Sequence, residues 1–291
     1  MPTANVNGMN IAYELHGEGE PVALTPGGRF DMDTAGVREL AQSLAAGGKQ
    51  VLIWDRPNTG RSDIRLDTDF ESTMHADTLA ALIEELGLGK TTIIGGSAGS
   101  RVSLLTVARH PEISEKLAIW WVSGGFFGLV LLATYYCADS FMAAKKGGME
   151  AVVELPMWQE TLTKNPSNRE KMLALDPEEF AQRMEMWARS FYPPDDSPVP
   201  GMRPEMFASI QVPTLVFRSS STDQAHTRRT SEWVAELIPN AKLVEPPFGE
   251  NEWNERSEDY GKTGVNNLFA NWPKLAPTLL EFMNAPVPSA V

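Results

Sequence analysis

The chain has 291 residues, of which 42% are hydrophobic and 22% charged, with a formal net charge of −13. This is the composition of a soluble globular protein, and its acidic excess argues against nucleic acid or an anionic membrane as a partner. A lone cysteine, Cys137, excludes an internal disulfide, and Met1 to Gly19 lacks a basic stretch followed by an apolar one, so a cytoplasmic location is expected.

In chain order, Val6 to Leu15 reads as a short hairpin turning near Asn7-Gly8, and Pro21 to Thr25 as a strand ending in Pro26-Gly27-Gly28. Thr34 to Ala46 has helical spacing in Val37, Leu40, Ala41 and Leu44. Gln50 to Asp55 is a strand apolar on both faces, followed by the turn-rich run Arg56 to Asp63. Thr73 to Leu86 is an amphipathic helix stopped by Gly87 and Gly89. The apolar run Thr91 to Ile94 leads into Gly95-Gly96-Ser97-Ala98-Gly99 and a helical pattern from Arg101, and Leu117 to Val122 is a further buried strand.

Ile119 to Ala138 carries no charge and has the length of a membrane span. Ser123-Gly124-Gly125 and Gly128 interrupt it, so a buried strand followed by a pocket-lining apolar helix is expected instead. From Phe126 to Ala208 only helical and loop patterns occur, including Met149 to Leu155, Arg169 to Leu175 and Pro177 to Tyr192. Strands return at Thr214 to Arg218 and Lys242 to Glu245, bracketing a helix from Thr230 to Leu237, and a last helix runs from Leu275 to Met283. The tail 285–291 is expected to be disordered. The pattern divides the chain into a core domain, 1–125 with 209–291, and a helical insertion, 126–208.

Such alternation implies a mostly parallel sheet with helices on both faces, and ligands in such sheets bind past the carboxyl ends of the strands. Gly27-Gly28, Ser97, Ser123-Gly124 and Asp223 all follow strand ends and are expected to converge. Gly95 to Gly99 reads as a nucleophile elbow, a turn too tight for side chains two residues before and after the serine. It lifts the Ser97 hydroxyl above the sheet and leaves the Ala98 N–H at a helix start, where it can stabilise an oxyanion.

These features together resemble the α/β-hydrolase superfamily, in the branch with a helical cap between the sixth and seventh strands. Pro26-Gly27-Gly28 stands where that family builds part of its oxyanion hole. Asp55 to Asp63 resembles its Asp-x-x-Gly-x-Gly-x-Ser loop, with Asn58 in place of the first glycine, and Pro213 to Asp223 resembles the seventh strand and the acid-bearing loop. The resemblance implies an eight-stranded sheet, Ser97 as nucleophile, the Ala98 and Gly28 N–H groups as oxyanion hole, and Asp223 as triad acid.

One departure is conspicuous. The family places its histidine just after the eighth strand, where this chain has Gly249-Glu250, and no histidine lies beyond His226. A serine hydroxyl needs a base to become a competent nucleophile. Three accounts stay open: Glu250 as base with its pKa raised by burial and by Asp223, His226 as base, or Ser97 not acting as a nucleophile. Arg29 either meets a substrate carboxylate or bridges to Asp31 or Asp33, and Arg101 is expected to pair with a buried acid. Trp121, Phe126 and Trp187 are candidate pocket residues.

The expectation is a cofactor-independent hydrolase, without a metal, acting on a small apolar or aromatic carbonyl compound: an ester, amide, lactone or C–C bond. A lyase or isomerase in the same pocket and a non-catalytic receptor are the alternatives. The expected partner is a small-molecule substrate, with no membrane insertion and with a homodimer left open.

Overall fold

The apolar runs become the strands of one eight-stranded sheet in a computed structural model that describes residues 1–192 and 195–286. The strands are β1 (Thr3–Val6), β2 (Met9–His16), β3 (Glu20–Thr25), β4 (Lys49–Trp54), β5 (Thr91–Gly96), β6 (Ser114–Trp120), β7 (Thr214–Phe217) and β8 (Ala241–Val244). Their order across the sheet is β1-β2-β4-β3-β5-β6-β7-β8, with β1 and β2 antiparallel and the rest parallel. Register matters most in the centre. Thr25 lies opposite Gly95, and Gly96 opposite Trp120, so Pro26–Gly28, Ser97 and Trp121 emerge together on one rim.

Twelve α-helices are present among the described residues: α1 (Val37–Ala46), α2 (Glu71–Glu85), α3 (Ala98–Arg109), α4 (Phe126–Ala133), α5 (Asp139–Val153), α6 (Pro156–Lys164), α7 (Ser167–Leu173), α8 (Pro177–Ser190), α9 (Pro204–Ser209), α10 (Arg228–Leu237), α11 (Glu252–Thr263) and α12 (Ala276–Asn284). Leu40 and Leu44 of α1 and Leu279 and Met283 of α12 share one apolar cluster with Val22, Ile53 and Ile94 of the sheet. Leu82 of α2, Leu105 of α3 and Val234 of α10 share the opposite cluster with Leu52, Ile93 and Ile119. Each such side chain, fully buried, is worth about 1.5–3 kcal/mol, which is why strands apolar on both sides need helices on both sides.

The helices between β6 and β7 form a cap with its own core, in which Tyr136, Val152, Trp158, Met184 and Trp187 pack together. Val199, Met202 and Phe207, near its C-terminal end, join the core cluster beneath α3 and α10. The cap is fastened to the core through Lys164–Asp31, Lys171–Asp63 at 2.7 Å, and Asn168 Nδ2 donating to Ser62 O at 2.9 Å. The long uncharged run splits between the end of β6, a glycine turn, α4 and a π-helical turn at Thr134–Ala138. Phe126, Phe127 and Leu131 of α4 are 59%, 70% and 61% exposed, so they face outward instead of lining a pocket. Asn58 adopts a left-handed φ of 69°, which asparagine tolerates better than most residues and which the family meets with glycine. Of the tail expected to be disordered, residues 287–291 lie outside the described residues, and α12 extends to Asn284.

Candidate active site

Ser97 sits between β5 and α3 with φ 56° and ψ −124°, a strained conformation for a residue with a side chain. Its amide donates to Trp120 O at 3.2 Å, which pins the apex to the neighbouring strand. A Cβ on Gly99 would lie 2.1 Å from Thr25 O, and one on Gly95 would lie 2.6 Å from Gly99 O. The turn therefore closes only around glycines, and the serine is fixed 6% exposed at the sheet rim.

The loop after β7 reaches this hydroxyl. His226 Nε2 lies 2.8 Å from Ser97 Oγ, and His226 Nδ1 lies 2.9 Å from Asp223 Oδ2. The carboxylate can only accept, so Nδ1 carries the hydrogen and Nε2 is left to accept from the serine hydroxyl. Asp223 Oδ1 also accepts from the amides of Ala225 and His226 at 2.8 and 2.9 Å, so the acid folds the loop that presents the imidazole. Gly124 N donates to Ala225 O at 3.3 Å, tying the same loop to the turn after β6. Both Asp223 and His226 are 2% exposed. The Trp121 ring stacks on the imidazole at 6.0 Å, and Trp253 meets it edge-on at 4.4 Å. The loop beyond β8, where the family's histidine is expected, thus contributes an aromatic wall.

Glu250 is not drawn into the site. Its carboxylate accepts from Ser221 N and Ser220 Oγ, each at 3.0 Å, pairs with Arg228, and remains about half exposed. The Ser221 amide, the Ser220 and Ser221 hydroxyls and Arg228 pull its pKa down to about 2, the opposite of the rise a general base would require. Its role is to brace residues 220–222, just ahead of Asp223.

On the other side of Ser97, Gly28 takes a left-handed φ of 53°, and a Cβ there would meet the Phe30 ring at 2.6 Å. Arg56 Nη2 donates to Gly27 O at 3.2 Å and Gly28 O at 2.6 Å. In a trans peptide the N–H points opposite the C=O, so these bonds turn the Gly28 and Arg29 amides away from Arg56. Ala98 N–H, at the first position of α3, has no acceptor four residues earlier in its helix. Arg56 was not singled out from the sequence, although its place directly past β4 was the available signal.

Arg29 meets neither Asp31 nor Asp33. It forms a bidentate pair with buried Glu71 at 2.9 and 3.2 Å and lies between the Tyr136 and Trp158 rings at 5.2 and 4.9 Å. Asp31 is taken by Lys164, and Asp33 by Arg38, Arg61 and Lys164. Among the described residues no carboxylate lies within pairing distance of Arg101. Its Nε donates to Ser72 Oγ at 2.8 Å and its guanidinium lies over Phe191. Trp187 is buried in the cap with Nε1 donating to Thr68 O, and Phe126 packs on Phe127 at the surface, so neither reaches Ser97. A cleft of about 310 Å³ opens between Phe30, Tyr260 and the cap residues Tyr135 and Met157, with Arg29 among its lining residues. A larger cleft of about 370 Å³, between Ile64 and Phe180, touches none of Ser97, His226 and Asp223. Among the described residues no group of His, Cys, Asp or Glu has the arrangement of a metal site.

The sheet order and the helical insertion after β6 are those of the α/β-hydrolase fold with a cap. Residues 15–118 match the sequence family described as alpha/beta hydrolase fold. RutD of Azorhizobium caulinodans is 25% identical over 270 residues, 89% of this chain and 94% of that one. The human serine hydrolase BPHL is 23% identical over 88% of this chain and 84% of its own. The solved enol-lactonase from Burkholderia xenovorans LB400 superimposes with a TM-score of 0.57 at 20% identity, covering 98% of this chain and all of that one. These likenesses, with the sheet order and the helical insertion, show the α/β-hydrolase fold.

Proposed function

We propose that the protein hydrolyses a small ester or lactone through an acyl-enzyme on Ser97. Ser97 Oγ attacks the carbonyl carbon while its proton passes to His226 Nε2, and the Ala98 amide and those of Gly28 and Arg29 receive the developing oxyanion. The imidazolium returns that proton to the departing alkoxide. Water then attacks the acyl group, giving its proton to His226, and the released acid leaves Ser97 protonated again. Asp223 holds the imidazole in the required tautomer throughout. The observation that carries this reading is the unbroken hydrogen-bonded chain from Ser97 to His226 to Asp223. The enol-lactonase and human serine hydrolase resemblances support an acyl-transfer class of substrate.

The test is labelling by a fluorophosphonate together with turnover of 4-nitrophenyl butyrate. Ser97→Ala abolishes labelling, and Ser97→Ala or His226→Ala lowers kcat by about 10³-fold or more. Glu250→Gln retains most of the activity. An enzyme that resists labelling, or whose turnover survives Ser97→Ala, sinks the acyl-enzyme and favours lyase or isomerase chemistry.

A further inference from the structure

The cap helix α4 has two unlike faces. Gly128 and Leu129 turn inward: a Cβ on Gly128 would lie 2.6 Å from Gln224 O, and Leu129 packs into the cap core. Just before the helix, Gly124 bridges to His226, and a Cβ on Gly125 would lie 2.6 Å from Thr227 Cγ2. The helix is thus pressed against the loop that carries Asp223 and His226. Its other face is bare. Phe126 and Val130 form one row at i,i+4 spacing, with Phe127, Leu131 and Tyr135 in a second row beside it, each between 46% and 70% exposed. Among the described residues eleven large apolar side chains are exposed, and five of them are gathered in these ten positions.

Apolar residues exposed singly need no explanation, but a continuous stripe does. At about 200 Å² per large side chain, those fractions leave roughly 550 Å² of apolar surface uncovered. A soluble monomer rarely shows a contiguous apolar patch of more than a few hundred Å². No charged residue occurs between Ile119 and Ala138, and Thr134 Oγ1 is spent on Val130 O at 2.9 Å, which leaves the Tyr135 phenol as the polar tip of the stripe.

We propose that this face is a homodimer interface, with α4 packed antiparallel on the α4 of a second copy about a two-fold axis. A second copy supplies the same uncharged rows, so neither side buries a charge. Two copies bring together roughly 1,100 Å², past the threshold of about 1,000 Å² for a specific interface. Chains of net charge −13 repel one another, which confines their contact to a region without charge. A lipid surface is the poorer match: helices that lie on membranes carry Lys or Arg beside the apolar face, whereas the first charged residue after this stripe is Asp139. A different protein would be selected by complementary charges, which the stripe lacks. Pairing holds α4 against residues 223–226 and so braces His226 opposite Ser97. Only this effect on turnover rests on the hydrolase reading; the pairing itself does not.

Sedimentation velocity and chemical cross-linking test the pairing. At about 50 µM the wild-type chain sediments at twice its monomer mass, and Leu131→Asp and Leu131→Lys sediment as monomers, since either leaves a charge unpaired in an apolar contact. Leu131→Lys lowers the net negative charge, so its dissociation separates the local cost from overall repulsion. Leu131→Cys, at the middle of the stripe, is joined across the axis by bismaleimidoethane, whereas the buried Cys137 does not react. A wild-type monomer at about 50 µM overturns the interface, including one that floats instead with phosphatidylcholine vesicles. So does a dimer that persists in both charged variants, or one whose Leu131→Cys chains stay unlinked. If the charged variants fail to fold, the cross-link decides. Turnover of 4-nitrophenyl butyrate reads the bracing: kcat falls at least about fivefold in folded Leu131→Lys, with KM less affected. An equal kcat overturns the bracing. If the ester is not turned over at all, the hydrolase reading fails while sedimentation and cross-linking still decide the pairing.

Discussion

A single imidazole, that of His226, faces the Ser97 hydroxyl at this rim, and another shapes the stability beneath it. His75 is fully buried with Nε2 donating to Pro57 O at 2.9 Å, and burial pushes its pKa from 6.5 to about 3 despite nearby Glu71. Its folded-state pKa lies below its unfolded one. The associated stability is complete above about pH 6.5 and is lost as pH falls towards 3, because only the unfolded chain takes up the proton. At pH 5 this amounts to about 2 kcal/mol. Thermal melts from pH 8 to pH 4.5 are expected to fall more steeply for the wild type than for His75→Gln, whose amide can still donate to Pro57 O; parallel curves refute this. The same residue shows where sequence reading stops. His75 stands near a helix start, and nothing in the neighbouring letters announces that Glu71, Arg29 and Arg56 lie around it. Asp223-Gln-Ala-His226 was legible as a candidate pair, whereas the choice between His226 and Glu250 depended on which way two loops turn.

Among the elements, the strands and the helices α1, α2, α3 and α10 were readable because their apolar residues follow the period of the structure they form. α11 was not. Glu252–Thr263 is so polar that its helical spacing carries little contrast, although Trp253 within it reaches His226. α5 was seen only from Met149, because Gly147 and Gly148 break its backbone, with φ 66° at Gly148. The elbow offers a sharper test of element geometry. Gly99→Ala places a methyl against Thr25 O, and the resulting overpacking is expected to destabilise the protein by about 1–3 kcal/mol. The forced shift at the start of α3 separates Ser97 from His226, so kcat falls while denaturant unfolding shows a lower midpoint. An alanine variant with both quantities unchanged would show that α3 can slide away from β3 without strain.

For the molecule as a whole, the polar links from cap to core gather between α6–α7 and the segment after β4, and Lys164 extends them to Asp31. Asp31 is 1% exposed and its salt bridge is with Lys164 of the cap. Lys164→Met leaves that carboxylate without its charge partner, at an expected cost of about 1–3 kcal/mol. Hydrogen exchange is expected to quicken over α5 to α7 before it changes over β3 to β6, and unfolding is expected to begin in the cap. Uniform loss of protection across the chain would show that cap and core unfold as one unit. The layered architecture could be anticipated from alternating patterns, but this coupling could not, since residues 133 positions apart leave no mark on local periodicity.

The source of the imidazole bears on how the enzyme ages and is stressed. β8 pairs on one side only among the described residues, with β7, and its residues are the most exposed of the parallel strands, so it is expected to fray before the parallel strands inside it. A hydrolase that hangs its base from the segment beyond such a border loses the base at each fraying event. Here His226, the imidazole facing Ser97, is anchored one strand further in, beyond β7, which has neighbours on both sides. Transient loosening of the border is expected to displace Trp253 while leaving His226 and Ser97 in register.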